Sequence, residues 1–304
     1  MQQMEISQST TTHLPSPRSR QMRKWWRAFR TKAFFTLLII PGAILFIAPF
    51  IWMVSTAFKD PRYVYIFPPQ LIPDPIRFDN FYRAFTRLPF HLFAWNTIQI
   101  TGLALIGHLI TASLTAYGFA RMRFPGRDFL FLLLISSIML PLQVTLVPTF
   151  LIYRYLGWID TFNPLIVPDW LGGTPFTVFL LRQFIATIPY ELDESARIEG
   201  ASFFGVYWRI ILPLIRPALA AISIFVFLWN WNDFFYAVIY INSQHKWTLQ
   251  LGLNNLRRNA TGQAFTEMEI LMAASIVVML PCLLLFFFAQ RIFIQGVVFT
   301  GLKG

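Results

Sequence analysis

The residues able to do chemistry gather in two places in this 304-residue chain. In the first, Trp229-Asn230-Trp231-Asn232-Asp233-Phe234, a carboxylate and two carboxamides sit within four positions inside an apolar stretch. Such a group can bind a polar solute along a path, or hydrogen-bond one helix to another. A charge there is costly unless it is paired or faces water, and both readings stand. The second place is residues 188–217, where acidic, basic, aromatic and turn residues alternate. Elsewhere the chemistry is thin. His13, His91, His108 and His245 have no metal-ligand spacing, and His108 is read as a hydrogen-bonded packing residue. A single cysteine, Cys282, can form neither an internal disulfide nor a cysteine zinc site. There is no His-Glu-x-x-His, nucleophile elbow or phosphate-binding Gly-x-x-x-x-Gly-Lys-Ser/Thr. No enzyme activity, cofactor or metal is expected, and ATP would have to bind another polypeptide.

The elements that position these residues are membrane spans. The chain is 56% hydrophobic and 13% charged, against about 25% charged in soluble domains. A spanning helix needs about 20 apolar residues. Runs 33–58, 91–120, 129–153, 217–241 and 270–290 meet this, and 163–187 is a weaker sixth, its helix expected over 174–187 behind an interfacial lead-in. Residues 1–32 read as a disordered basic tail, 59–90 as an outer loop, 91–290 as a core of five spans and 291–304 as a C-terminal tail. The first run is too long for a cleaved leader. Prolines 41, 49, 141, 148 and 281 imply kinks within spans. Ala112, Ala116 and Ala120, with Gly107, Thr111 and Thr115 beside them, form rows of small residues suited to close helix packing, internal or between subunits.

The net charge is +11, with seven basic residues just ahead of the first run and no basic stripe, so it reads as orientation and contact with lipid rather than with nucleic acid. With six spans and an inside N-terminus, sixteen Lys/Arg fall inside and nine outside, as the positive-inside bias requires. Both termini and residues 188–217 are then cytoplasmic.

That segment describes a helix, a glycine turn and a second helix. Pro189 and Glu191 suit a first turn, and Asp193 and Arg197 can pair four residues apart. Gly200 fits the left-handed position after a helix, and a second helix is expected from Ser202 toward Leu212, with Pro213 opening the fifth span. Ile198, Phe203, Phe204, Tyr207 and Trp208 are more apolar surface than a solvated loop needs; they either pack on the span ends or form a docking surface.

The same segment resembles the EAA loop of binding-protein-dependent ABC transporter permeases. Glu194-Ser195-Ala196, three residues, Gly200, nine residues and Ile210-Ile211-Leu212-Pro213 match that family's spacing, with Ser195 in place of its middle alanine. Trp170-Leu171-Gly172-Gly173, the Trp231-Asn232-Asp233-Phe234 stretch and the Gln290-Arg291…Gly304 ending resemble the maltose-type carbohydrate branch, so the likeness runs over about residues 33–304.

The resemblance implies an all-α polytopic inner-membrane protein with six transmembrane helices. It would be one of two permease subunits on an ABC ATPase dimer, fed by an extracytoplasmic solute-binding protein that the 59–90 and 242–267 loops touch. Glu194, Ser195, Ala196, Gly200, Ile210, Leu212 and Pro213 would form the ATPase-coupling loop, and Asn230, Asn232 and Asp233 are candidates for the translocation path. A sugar is the implied cargo, a non-sugar solute the alternative. An ion-coupled transporter lacks support, because few intramembrane ionisable residues and no repeated halves are present.

Overall fold

A chain in lipid must satisfy its backbone polar groups within each spanning segment, and the apolar runs of this chain are accordingly helical. The computed structural model describes residues 17–262 and 267–301. They fall into two compact units, 1–54 and 55–304. The first unit is the body of α1 (Pro17–Ala57, 41 residues). It exposes Leu45 and Phe46 and holds Pro41 and Pro49 within the helix. Residues 17–32, assigned above to a disordered tail, belong to this helix; residues 1–16 lie outside the described residues.

The second unit is built around α3 (Phe90–Arg121), 32 residues long and so about 48 Å from end to end. Before it, α2 (Asp79–Arg87) gives helical structure to part of the 59–90 loop. After it the third span is broken. α4 (Arg127–Ser136), extended by a 3-10 turn to Met139, meets α5 (Leu142–Tyr155) at 104°. A kink was expected at Pro141. The larger break has a local cause: proline removes the amide donor and clashes with the preceding turn, and it pushes Leu140 into extended backbone, at ψ 118°.

The fourth span follows expectation. A short α6 (Asn163–Ile166) and a 3-10 turn (Val167–Trp170) lead into α7 (Pro175–Ala186). α3 packs along α7, with Ala112 and Ala116 fully buried among Val178, Leu181 and Ile185. These two alanines therefore serve internal packing.

Next come α8 (Glu191–Ile198), α9 (Phe203–Val206), a π turn (Tyr207–Ile211) and α10 (Leu212–Leu214). The fifth span, expected as one helix over 217–241, is α11 (Arg216–Trp231), a break, and α12 (Phe235–Tyr240). The 242–267 segment, expected as a loop, contains α13 (Leu249–Gly262), which buries Leu249, Leu251 and Leu256. Gly252 admits this packing because a Cβ there would lie 2.6 Å from the Phe93 ring. α14 (Met268–Gly301) carries the last span on through residues 291–301, assigned above to the tail. Among the described residues four helices are long and apolar enough to cross a membrane, or up to six if each bent pair counts as one span.

The Phe90 end of α3 is closed by polar ties. Asn96 donates to the carbonyls of His245 and Trp247. Arg83 and Arg87 pair with Glu269 and Glu267, joining α2 to the start of α14. Asp160, at φ +60°, accepts hydrogen bonds from the Asn242 amide, the Ser243 amide and hydroxyl, and Lys246 Nζ. The Ser243 donors, foremost among these contacts, hold the Asp160 carboxyl well below the usual carboxylate range. A depressed carboxylate contributes stability that is present above its unfolded pKa, about 3.9, and is lost as pH falls through the folded value. Asp160→Asn should therefore lower the thermal midpoint at neutral pH and flatten its decline in acid. A midpoint-against-pH curve that overlays wild type would show that the carboxylate charge contributes nothing.

Candidate functional site

The helix–glycine–helix segment takes its shape from a few local bonds. α8 ends in a Schellman motif: the Gly200 amide donates to the Arg197 carbonyl and the Ala201 amide to that of Ala196, at 3.0 and 2.9 Å. Gly200 has φ +87°, the left-handed backbone expected of it. Ser202 caps α9 by accepting from the Gly205 amide. Across the turn, the Arg197 guanidinium lies 4.1 Å over the Phe203 ring.

The pairing of Asp193 corrects the sequence expectation. Its carboxylate faces Arg121 Nε at 3.3 Å, both side chains nearly fully buried, while Arg197 turns to Phe203 instead. Arg121 also donates to the Ile188 carbonyl at 2.7 Å. Burial pushes the Asp193 carboxyl up, against the opposing pull of Arg121 and Arg197. The sequence signal for this pair is Arg121 itself, the first of three arginines after a long apolar run, which in the sequence reads only as an inside charge.

The apolar residues of the segment divide. Ile198, Phe204 and Trp208 are 88%, 63% and 60% exposed. Tyr207, for which packing on the span ends and a docking surface were both open, is buried and shares a 2.8 Å hydrogen bond with Ser113 of α3. Glu194 and Ser195 are exposed and Ala196 is partly buried. Ile210 and Ile211 fall in the π turn, and Leu212 and Pro213 in α10. Pro213 thus lies before the fifth span, which begins at Arg216 after a 75° bend.

The second group lies at the far end of α11 and in the break that follows it. Asn230 and Asn232 donate back to the Val226 and Leu228 carbonyls of their own helix. Gln250 of α13 reaches the Trp231 carbonyl and, at 3.5 Å, Asn232 Oδ1. Asp233 Oδ1 accepts from the Tyr236 amide at 3.1 Å and ties down the start of α12. The three candidate path residues are therefore together at a break in the span. Two substitutions separate the roles left open for Asp233. Asp233→Asn keeps an acceptor and removes the charge, whereas Asp233→Ala removes both, at about 0.5–2 kcal/mol for a lost helix-start contact. If only alanine impairs uptake, the residue is structural; equal impairment assigns the charge to the path.

His108 is also placed as expected for a packing residue. Its ring nitrogens meet Asp169 Oδ1 at 2.7 Å and Thr177 Oγ1 at 3.0 Å, joining α3 to the fourth span. Among the described residues no group of His, Cys, Asp and Glu is arranged to hold a metal.

Broken apolar spans around a central helix, with a helix–glycine–helix segment at one end, define a polytopic transport permease. Residues 108–298 match the family described as binding-protein-dependent transport system inner membrane component, and the chain belongs to that family. It is 33% identical to the arabinooligosaccharides transport system permease protein AraQ of Halalkalibacterium halodurans, over 76% of this chain and 81% of that one. Among solved structures it resembles a chain of a bacterial ABC transporter involved in import of the acidic polysaccharide alginate, with TM-score 0.77 and 21% identity, covering 92% of this chain and 99% of that one. A second structure, the bacterial alginate transporter in complex with alginate pentasaccharide-bound periplasmic protein, gives TM-score 0.65 at 21% identity, covering 88% and 96%.

Proposed function

We propose that this chain is a permease subunit of a bacterial ABC importer for a sugar, forming half of the translocation path beside a second permease subunit. The exposed apolar face of Ile198, Phe204 and Trp208 on a tightly capped helix–glycine–helix segment is the observation that carries the coupling part of this reading. A face of that kind at a span end favours docking on a partner over solvation. Glu194, Ser195, Ala196 and Gly200 form its first half, and Ile210, Leu212 and Pro213 lead out of it toward α11. The partner is a separate ABC ATPase dimer, so this segment and both termini lie on the cytoplasmic side of the inner membrane, as the distribution of basic residues favours. The opposite end, with α2 and α13, receives a solute-binding protein.

The sugar assignment is supported by the arabinooligosaccharide and alginate systems that the chain resembles. Mass spectrometry of the ligand retained by the cognate binding protein after purification tests it. A mono- or oligosaccharide is expected; a peptide or amino acid would overturn the assignment.

A further inference from the structure

One face of α3 carries three polar side chains at four-residue intervals, Ser113, Tyr117 and Arg121, all buried. Residues four apart share a helix face. Each of the three bonds a different part of the 188–211 segment. Ser113 Oγ meets the Tyr207 hydroxyl at 2.8 Å, in the π turn. The Tyr117 hydroxyl donates to the Phe203 carbonyl at 2.9 Å, at the start of α9. Arg121 donates to the Ile188 carbonyl and pairs with Asp193 of α8. The rings of Tyr117 and Tyr207 lie 5.3 Å apart between these bonds. The row therefore holds the chain ahead of α8, α8 itself, α9 and the π turn.

The covalent route to α11 is less direct. It passes through the π turn, α10 and a 75° bend. π turns and sharp bends are places where helices give. A push on α8 thus meets a polar ladder on α3 before it meets the bend.

We propose that Ser113, Tyr117 and Arg121 are positioning residues that make α3 the principal recipient of the ATPase stroke, with α11 following through the bend. This rests on the reading of 188–213 as the coupling segment. The ladder would also carry the reverse signal, because binding free energies at two coupled ends of one body bias each other reciprocally. α3 runs without a break from Arg121 to Phe90. At that far end Asn96 holds the His245 and Trp247 carbonyls, so contact there with a binding protein reaches the ladder through one continuous helix.

The test uses the full complex in lipid nanodiscs: both permeases, the ATPase subunits, and the binding protein purified with whatever sugar it retains. Phosphate release from MgATP is measured with and without the binding protein, and the ATPase subunits retained on the permease are quantified. Ser113→Ala/Tyr117→Phe removes two ladder hydroxyls without adding volume. It should keep the ATPase subunits and basal hydrolysis and lose at least about fivefold of the stimulation by binding protein, a coupling loss of about 1 kcal/mol. A purely structural role would lower retained ATPase and leave the stimulation ratio of the surviving complex unchanged. If the double variant does not assemble, Tyr117→Phe alone, a one-oxygen change, is read in the same way. Gly200→Asp is the control. If it uncouples while the ladder variants keep wild-type stimulation, the ladder proposal fails and the coupling segment stands. If Gly200→Asp itself matches wild type, the reading of the segment fails first.

Discussion

Gly200→Asp is expected to abolish transport while leaving the permease in the membrane. A Cβ at Gly200 meets nothing within 4 Å and the residue is exposed, so the substitution begins in open space. The remaining cost is backbone strain at φ +87°, about 1–2 kcal/mol for a side chain in left-handed backbone, and Asp is among the residues that tolerate this region best. That is small against the 5–15 kcal/mol by which folded proteins are stable. A loss of transport much larger than the strain therefore has to arise outside the folded chain, where a new charged side chain meets the ATPase. Permease abundance should be near wild type, with ATPase retained weakly or hydrolysing without uptake. Wild-type values for both retention and uptake would make the 188–213 segment an ordinary turn.

Gly173→Leu is expected to act in the opposite way, by destabilising the fold. Gly173 sits at φ +72°, and a Cβ there would lie 2.4 Å from Ala112 Cβ and 3.1 Å from Ala112 Cα. Those atoms belong to a fully buried, short residue on α3 and have no rotamer that relieves the contact. Strain of about 1–2 kcal/mol adds to overpacking of about 1–3 kcal/mol, and the α3–α7 contact must open. The measurement is the monodisperse yield and thermal midpoint of the purified permease. Both should fall sharply, whereas Gly200→Asp should change them little. Equal behaviour of the two variants would contradict the separation of a packing glycine from a coupling one.

The sequence disclosed whatever depends on near neighbours in the chain. Gly200 was readable as a helix end because the motif closes within six residues, and the lead-in before α7 because Gly172, Gly173 and Pro175 interrupt the apolar run. The rows of small residues on α3 pointed to close packing, and the structure places Gly173 against Ala112 and Trp170 against Gly107. Interactions between distant segments stayed hidden. Asp193 had a plausible partner four residues away in Arg197, and only the fold brings Arg121 closer. Tyr207 carries an apolar ring and a hydroxyl, so it fits a surface or a buried site equally well until Ser113 is seen beside it. The break at Leu140-Pro141 was expected as a kink because proline marks a bend without fixing its size. The helix over 249–262 was missed because its many polar residues, Asn254, Asn255, Arg257 and Arg258 among them, read as a solvated loop. Its buried leucines acquire meaning only in the fold, Leu249 and Leu256 in the cluster of Phe93 and Ile270 and Leu251 in that of Ile100 and Tyr240.

We propose that this chain moves solute only as part of an ATP-driven assembly. Proteoliposomes containing both permease subunits, supplied outside with the binding protein carrying its labelled sugar, test it most directly. Accumulation should require both the ATPase subunits and MgATP on the inner face and should stop when either is left out. Accumulation driven by an ion gradient across vesicles that contain the permease chains alone would contradict it.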